Sequence, residues 1–115
     1  MQHIHKKIPL SLLKSDYCSV FGSMTKAVVD IAQGVLVVDA ELHSDEEALL
    51  LERGSRQEDL WGINLYPDKP REDFIEYTSF INIRPAQDNL SMDIQSSVIK
   101  DAINNAVLSL VDFDA

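Results

Sequence analysis

One stretch decides the fold of this chain: Glu41-Leu-His-Ser-Asp-Glu-Glu-Ala-Leu-Leu-Leu-Glu-Arg-Gly-Ser-Arg-Gln-Glu-Asp-Leu-Trp-Gly-Ile-Asn-Leu-Tyr-Pro67. Its first part has the signature of a helix start, because Ser44 is followed three residues later by Glu47. In such a capping box each side chain accepts a hydrogen bond from the other residue's free backbone N–H. Gly54 supplies the left-handed stop of a helix. The stretch therefore predicts a short helix over Asp45–Arg53.

Two hairpins are predicted, one before this helix and one after it. The first joins Thr25–Ile31 to Val35–Ala40 through a three-residue loop that ends in Gly34, a glycine position typical of such loops. Both strands carry apolar residues on both faces, so we expect this hairpin inside the sheet. The second hairpin joins Asp59–Tyr66 to Asp73–Arg84, which is the longest predicted strand.

Helical spacing of apolar residues predicts two further helices. The first begins after Pro9 and ends near Gly22, with apolar positions at Leu10, Leu13, Tyr17, Val20 and Phe21. The last covers Ser97–Val111, capped by Ser96 or Ser97. Its apolar positions, which follow the i, i+3, i+4, i+7 rule, are Ile99, Ala102, Ile103, Ala106, Val107, Leu110 and Val111.

These elements predict one α+β domain over residues 1–115, ordered helix–hairpin–helix–hairpin–helix. The sheet is expected to have four strands, mainly antiparallel, with Ile4–Ile8 as the candidate fifth, and to be packed by helices. Residues 1–9 form an N-terminal arm or a short strand, and residues 112–115 a frayed tail.

Alternation sorts the residues of the second hairpin onto two faces. The predicted core face carries Trp61, Ile63, Leu65, Ile75, Tyr77, Ile81 and Ile83, and the last helix is expected to pack on it. The other face mixes polar with aromatic residues: Leu60, Asn64, Tyr66, Phe74, Glu76, Thr78, Phe80, Asn82 and Arg84. A helix that half covers this face, a partner interface and the wall of a pocket each explain such a mixture.

The composition limits the function classes. Nineteen acidic residues against ten lysines and arginines give a formal net charge of −9, which opposes binding to a phosphate backbone. The single cysteine, Cys18, forms no intrachain disulfide and is expected to be a buried structural thiol. Met1–Pro9 is polar and lacks the apolar segment of a secretory signal, so we expect no such signal, and no apolar run approaches the roughly 20 residues that span a bilayer. We expect a cytoplasmic protein with neither nucleic-acid nor membrane partners.

Three phrases carry a resemblance: Glu41-Leu-His-Ser-Asp-Glu-Glu-Ala-Leu-Leu-Leu-Glu52, Gly54-Ser-Arg-Gln-Glu-Asp-Leu-Trp-Gly-Ile-Asn-Leu-Tyr-Pro67 and Ile75-Glu-Tyr-Thr-Ser-Phe-Ile-Asn-Ile-Arg-Pro85. With Lys26–Ile31, they make the chain similar to a family of small uncharacterised bacterial proteins catalogued only as a domain of unknown function. The resemblance extends over roughly Gly22–Gln95. It implies no activity, cofactor or catalytic residue. The chain departs from the family pattern around Asp88–Ser91.

The acidic residues around the predicted helix start are the nearest approach to a metal or acid–base cluster. Glu41, His43, Asp45 and Glu46 match no zinc motif, although carboxylates with one histidine suit Mg²⁺ or Mn²⁺. The simpler interpretation is that acids in the first turn complement the helix dipole. The catalytic candidates are Glu41, His43 and Glu76, and the metal candidates are His43 and Asp45. No cofactor is expected.

A second group of candidates lies on the mixed face of the second hairpin. The candidate ligand or interface residues are Asn64, Tyr66, Phe74, Thr78, Phe80 and Arg84. We expect Asn64 and Glu76 to be close cross-strand neighbours if Leu65 lies near Ile75. The planar fork of Arg84 can bind a carboxylate or a phosphate.

Three functional hypotheses follow from these residues. The leading hypothesis is a non-catalytic interaction module that self-associates as a homodimer, because no catalytic motif accompanies the mixed face. The first alternative is a hydrolase-like enzyme, metal-dependent or acid–base, that uses Glu41, His43, Asp45 and Glu76. The second is a binder of a small anionic ligand through Arg84 or Arg56.

Overall fold

The computed structural model describes all 115 residues, Met1–Ala115, as an α+β fold with three α-helices and a five-stranded antiparallel sheet. The helices are α1 (Leu10–Asp16), α2 (His43–Glu52) and α3 (Ser97–Leu110). The strands are β1 (Gln2–Ile4), β2 (Ile8–Pro9), β3 (Thr25–Asp30), β4 (Val35–Val38), β5 (Leu60–Leu65), β6 (Ile75–Glu76) and β7 (Val111–Asp112). None of the helices combines the length and the apolar character that crossing a membrane requires.

The sheet has the order β1-β4-β3-β5-β6, with every neighbouring pair antiparallel. The first hairpin therefore lies inside the sheet, as its doubly apolar strands predict. Its loop ends in Gly34 at φ +69°, the left-handed conformation that the sequence predicts there. The fifth strand is Gln2–Ile4, so the predicted fifth strand Ile4–Ile8 was placed a few residues too late in the sequence. Ile8–Pro9 pairs instead with Val111–Asp112 in a separate parallel pair.

Helices cover both faces of the sheet. On one face α3 and α1 complete the main core, which includes Trp61, Ile63, Leu65, Val29, Leu36, Leu13, Ile103 and Val107. On the other face α2 contributes Leu50 to a smaller cluster with Val28, Val37 and Leu60. The predicted contact of α3 with the face of Trp61 is confirmed. Ile81 was expected on that face but packs with the smaller cluster.

The first helix is shorter than predicted. It ends at Asp16, and Val20 and Phe21, which continue its apolar spacing, are 45% and 42% exposed. The loop after it is held by Asp39, whose carboxylate accepts hydrogen bonds from the Ser19 hydroxyl and the Val20 N–H. Cys18 lies in this loop and is buried, as expected.

The predicted capping box at the start of α2 is wrong. The helix begins at His43, and its cap residue, Leu42, has no side chain that accepts a backbone hydrogen bond. Glu47 reaches the Arg84 guanidinium instead, with Oε2 3.2 Å from Nη2. The predicted stop is confirmed, because Gly54 adopts φ +95° and the Ser55 N–H donates to the Leu50 carbonyl.

The predicted long strand Asp73–Arg84 is also wrong. Only Ile75–Glu76 pairs with β5, and a 3₁₀ turn forms at Phe80–Asn82. Asn82 takes the place of a strand beside Gly62: its Oδ1 accepts the Gly62 N–H at 2.8 Å and its Nδ2 donates to the Gly62 carbonyl at 2.9 Å. A side-chain amide therefore satisfies the backbone of β5 where β6 has ended. Ile83, assigned to the core face, is 45% exposed as a result.

The close approach of this turn to β5 makes Gly62 intolerant of a side chain. An added Cβ would lie 2.5 Å from the Ser79 Cβ and 2.7 Å from its Oγ. We expect Gly62→Ala to lower the free energy of unfolding by about 2 kcal/mol, measured by urea denaturation. The second variant Gly62→Ala/Ser79→Gly should recover part of this loss, whereas a single variant as stable as the parent protein would contradict the predicted clash.

The C-terminal tail, expected to fray, is held against the domain. Asp112 pairs with Pro9, and the Ala115 carbonyl accepts the Ser11 N–H at 3.3 Å. The Phe113 ring packs edge-to-face on Phe74, with centroids 4.9 Å apart. This aromatic pair extends the main core to the end of the chain.

Candidate functional site

A small cleft lies between the first turn of α2 and the turn that follows β6. Its volume is about 110 Å³, and it is lined by Lys26, Leu42, His43, Ser44, Ser79, Phe80 and Ile81. Lys26 is the one lining residue with a permanent charge, and no lining residue is acidic. The antiparallel register of the sheet and the start of α2 bring these residues together from three separate parts of the chain.

A row of polar residues crosses the sheet beside the cleft. Lys26 on β3 is the cross-strand partner of Asn64 on β5, which is in turn the partner of Glu76 on β6. The Asn64 Nδ2 donates to the Glu76 Oε1 at 2.8 Å, and the Tyr66 hydroxyl donates to the same oxygen at 3.1 Å. The predicted pairing of Asn64 with Glu76 is confirmed. The two hydrogen bonds, from Asn64 and Tyr66, hold the Glu76 carboxylate beside β5.

His43 is fixed at the start of α2 by a hydrogen bond to the sheet. Its Nε2 lies 2.8 Å from the Ile63 carbonyl oxygen, which can only accept, so this ring nitrogen carries a proton. Burial lowers the pKa of His43, and the hydrogen bond to the Ile63 carbonyl opposes that change. The imidazole is therefore neutral at pH 7, with Nδ1 as its basic nitrogen.

Glu46 points into the protein from the first turn of α2. The residue is fully buried, its Oε2 accepts the Ala40 N–H at 3.1 Å, and its Oε1 has no partner. Burial raises the pKa of this carboxyl to about 9, against the opposing effects of the Ala40 hydrogen bond and of Lys26. The carboxyl is thus neutral at pH 7. Glu46 lies in the first turn, where an acid normally complements the helix dipole, but as a neutral group it does not do so at pH 7.

The residues of the metal and acid–base hypothesis do not converge. His43 and Glu76 both lie close to Asn64. Glu41 is exposed and lies neither in the cleft lining nor in the row of polar residues. Asp45 lies on a different side of α2, where it lines a shallow groove of about 430 Å³ with Met1, Ala40, Ala48, Leu49 and Glu52. No three His, Cys, Asp or Glu side chains come together as metal ligands. The metal candidates His43 and Asp45 therefore line two different surfaces beside α2.

Arg84, the candidate for anion binding, is occupied within the protein. Its Nε donates to the Ile81 carbonyl at 3.0 Å and its Nη1 to the Gln57 carbonyl at 2.8 Å. With its Nη2 paired to Glu47, the guanidinium also lies 4.8 Å from the centre of the Trp61 ring, and its side chain is only 10% exposed. Arg84 thus fastens β5 to α2 and leaves little of its fork for a ligand.

The remaining candidates on the mixed face have different environments. Phe74 is 2% exposed and belongs to the main core, so it faces neither ligand nor partner. Thr78 is half-buried in an isolated bridge with Asp93. Phe80 is 78% exposed at the edge of the cleft. Since the chain leaves the sheet after Glu76, the alternation on which this face was predicted no longer applies beyond it.

Of the seven cleft residues, only His43 and Phe80 were predicted as site residues, and the five that were missed include Lys26 and Ser79. Lys26 lies on β3, and only the order of the strands places it beside Asn64. Ser79 is buried by its contact with Gly62, a contact that depends on the broken strand. Alternation along β3 places Lys26 on the face opposite the main core. With β5 known to be the neighbour of β3, Lys26 could have been predicted to lie beside Asn64. Ser79 gave no comparable signal.

Comparison with known proteins identifies the chain at the level of family. Comparison with curated proteins and with solved structures found no match. A family model described as Protein of unknown function (DUF5674) matches residues 2–110. This match includes all five strands of the sheet, all three helices and the residues that line the cleft. The chain therefore belongs to the DUF5674 family of proteins of unknown function.

Proposed function

We propose that this protein is a small non-catalytic interaction module that self-associates through the apolar rim of the cleft, formed by Leu42 and Phe80. The observation that carries the proposal is the presentation of Phe80, which is 78% exposed although Ser79 and Asn82 beside it in the same turn are buried. An aromatic ring on an anchored turn loses little conformational freedom on binding. Such rings are typical anchors of protein interfaces.

Leu42 supports the same surface from the other side of the cleft. It is 52% exposed, precedes α2, and lines the cleft together with Phe80 and the half-buried Ile81. Exposed apolar residues that cluster in this way are typical of interaction sites rather than of solvated surface. The proposed surface is thus an apolar rim around a polar floor.

Charge favours a second copy of the chain as the partner at this surface. The chain carries a formal net charge of −9, so contacts between most of its surfaces bring acidic residues together. The cleft lining includes Lys26 and no acid, so no acidic side chain of the lining faces another acid where this surface meets itself. Contact of a surface with itself is the arrangement of a twofold dimer.

Sedimentation velocity over a range of protein concentrations tests this proposal. The parent protein is expected to form dimers, and Phe80→Ser should weaken the dimer at least about tenfold, as loss of a central aromatic anchor does. Val98→Ser is the matched control, because Val98 is 76% exposed on α3 and lies outside the cleft. It should dimerise like the parent protein.

Two results would contradict the proposal. One is a parent protein that stays monomeric at millimolar concentration. The other is a dimer that Phe80→Ser and Val98→Ser weaken equally, because the contact would then not depend on the rim of the cleft. Circular dichroism of each variant establishes that it is folded before sedimentation, so a change in assembly is not confused with unfolding.

A further inference from the structure

Beyond self-association, we propose that the cleft binds a short-chain monocarboxylate. The carboxylate would lie at Lys26 and Ser79, and the hydrocarbon end against Leu42, Phe80 and Ile81. The charge selection of this inference rests on the polar floor of the cleft, while the hydrocarbon end would share Leu42 and Phe80 with the proposed self-association surface. Either can hold without the other.

Lys26 is a cation without an anionic partner. The ion pairs of the chain occupy Lys14, Arg56 and Arg84, whereas the Lys26 ammonium has no carboxylate within 4.0 Å. Its nearest aromatic neighbour is Phe21, with the ring centroid 5.3 Å from Nζ. A half-buried ammonium in a cleft gains most from an anion that replaces water at its side.

The nearby carboxyl groups leave this charge unneutralised. Glu46 lies close enough to Lys26 for the two to interact, but the raised pKa of its buried carboxyl keeps it neutral at pH 7. Glu76 lies two strands away from Lys26, where Asn64 and Tyr66 hold its carboxylate. The cleft is therefore locally cationic within a strongly acidic chain.

Ser79 provides a hydrogen-bond donor on the floor of the cleft. It is only 4% exposed, and its hydroxyl oxygen accepts the Ile81 N–H at 3.3 Å. The hydroxyl proton has no acceptor within the protein, although a buried donor is normally paired. An oxyanion beside Lys26 would satisfy it.

The first turn of α2 adds weaker support. The helix has ten residues, its cap residue Leu42 offers no side-chain acceptor, and the Ser44 hydroxyl lines the cleft. The first N–H groups of a helix lack partners within the helix and carry partial positive charge. They would favour an anion at the same place as Lys26 and Ser79.

Size and polarity select the class of anion. A volume of about 110 Å³ is well below the roughly 300 Å³ at which pockets for drug-sized ligands begin, so a nucleotide does not fit. One lysine balances one negative charge, which favours a monoanion over a phosphate dianion. Leu42, Phe80 and Ile81 offer apolar contact for a chain of a few carbons. A carboxylate with a short alkyl chain, such as butyrate, has all three properties.

The test is a titration of the ¹⁵N-labelled protein with butyrate, followed by NMR chemical shifts. Butyrate should shift the amide signals of residues 42–44 and 79–81 with a saturable dependence on concentration. Butyramide, which has the same shape without the charge, should bind at least about tenfold more weakly. Lys26→Met should weaken butyrate binding by a similar factor, whereas the surface variant Lys7→Met should bind like the parent protein.

The outcomes separate this inference from self-association. Equal binding of butyrate and butyramide to the parent protein would overturn it, as would unchanged binding to a folded Lys26→Met variant. Inorganic phosphate that binds as tightly as butyrate at the same amides would overturn the carboxylate class. Sedimentation of the same samples shows whether they are monomers, because a monomer that binds butyrate supports the site while it contradicts self-association. A protein that does not bind butyrate even at dilutions where sedimentation shows a monomer overturns the carboxylate site, whether or not it dimerises at higher concentration.

Discussion

Asn82→Ala is expected to lower the free energy of unfolding by about 4 kcal/mol. The Asn82 side chain is fully buried and makes two hydrogen bonds to the backbone of Gly62. The Gly62 N–H and carbonyl point to the β6 side of β5, but β6 pairs only with Asn64 and Leu65 and does not reach Gly62. Alanine would leave the Gly62 N–H and carbonyl without partners in the interior. Each such group costs about 1–3 kcal/mol when buried and unpaired.

A second layer of the same network makes the loss larger. The Asn82 Nδ2 also donates to the Met92 carbonyl at 3.1 Å, a bond that alanine would remove as well, and the Asn82 backbone carbonyl accepts from the Asn89 Nδ2 at 2.8 Å. Asn89 in turn binds the carbonyls of Ser91 and Asp93. Two buried amides therefore fix the turn after β6 to the loop before α3, together with the isolated β-bridges Thr78–Asp93 and Arg84–Asn89.

Urea denaturation of three variants checks this prediction. Asn82→Asp keeps the acceptor for the Gly62 N–H but cannot donate to the carbonyls when it is ionised, so it should also be strongly destabilised. Asn105→Ala, at an exposed position of α3, is the matched control and should change the free energy of unfolding by less than about 0.5 kcal/mol. A loss below about 1 kcal/mol for Asn82→Ala would mean that water or a local shift replaces the amide.

The network explains why the second hairpin could be predicted only in part. The pairing of Asn64 with Glu76 was predicted on the assumption that Leu65 lies near Ile75, and both pairings are observed. Beyond Glu76 the residues continue a strand-like pattern, but Asn82 supplies through its side chain the pairing that a strand would supply through its backbone. Alternation records side-chain direction and contains no information on which group satisfies a neighbour's backbone.

The helices show a related difference between local and tertiary signals. Gly54 ends α2 as predicted, because glycine adopts a positive φ, here +95°, without steric cost whatever its tertiary contacts. The start of α2 was predicted incorrectly because Glu46 and Glu47 make tertiary contacts, one with Ala40 and the other with Arg84. Glu46 was expected to complement the helix dipole and Glu47 to close the capping box. Instead, Glu46 accepts the Ala40 N–H and Glu47 pairs with Arg84.

The candidate site was predictable to a similar extent. Phe80 was named as a candidate interface residue and is exposed, and His43 lies at the cleft. Arg84 has the chemistry to bind an anion but directs its donors to the Ile81 and Gln57 carbonyls and to Glu47. Whether a cation is free or already paired depends on long-range contacts. That is why Arg84 was chosen from the sequence and Lys26 was missed.

Glu46→Gln is expected to make the protein more stable at neutral and alkaline pH, by about 2 kcal/mol at pH 7. Burial raises the pKa of Glu46 to about 9 from its ordinary value of 4.5. Between these values the unfolded chain releases a proton that the folded protein retains, so stability falls as the pH rises. The contribution of Glu46 is fully present below pH 4.5 and is lost as the pH approaches 9.

Glutamine is neutral at every pH, so the variant should lack this decline. It keeps an oxygen that can accept the Ala40 N–H, but its amide brings donors into a site where Oε1 already has no partner. We therefore expect Glu46→Gln to be about 1 kcal/mol less stable than the parent protein at pH 4.5 and more stable above about pH 6. The crossing of the two stability curves is more informative than either value alone.

Urea denaturation from pH 4.5 to 8.5 measures both curves. Glu52→Gln, on the exposed side of the same helix, removes the same formal charge and controls for the general effect of one acid fewer. Its curve should stay nearly parallel to that of the parent protein. Parallel curves for Glu46→Gln as well would mean that the Glu46 carboxyl ionises in the folded protein. The positive charge of Lys26 would then be neutralised from within, and the cleft would lose the free cation on which carboxylate binding depends.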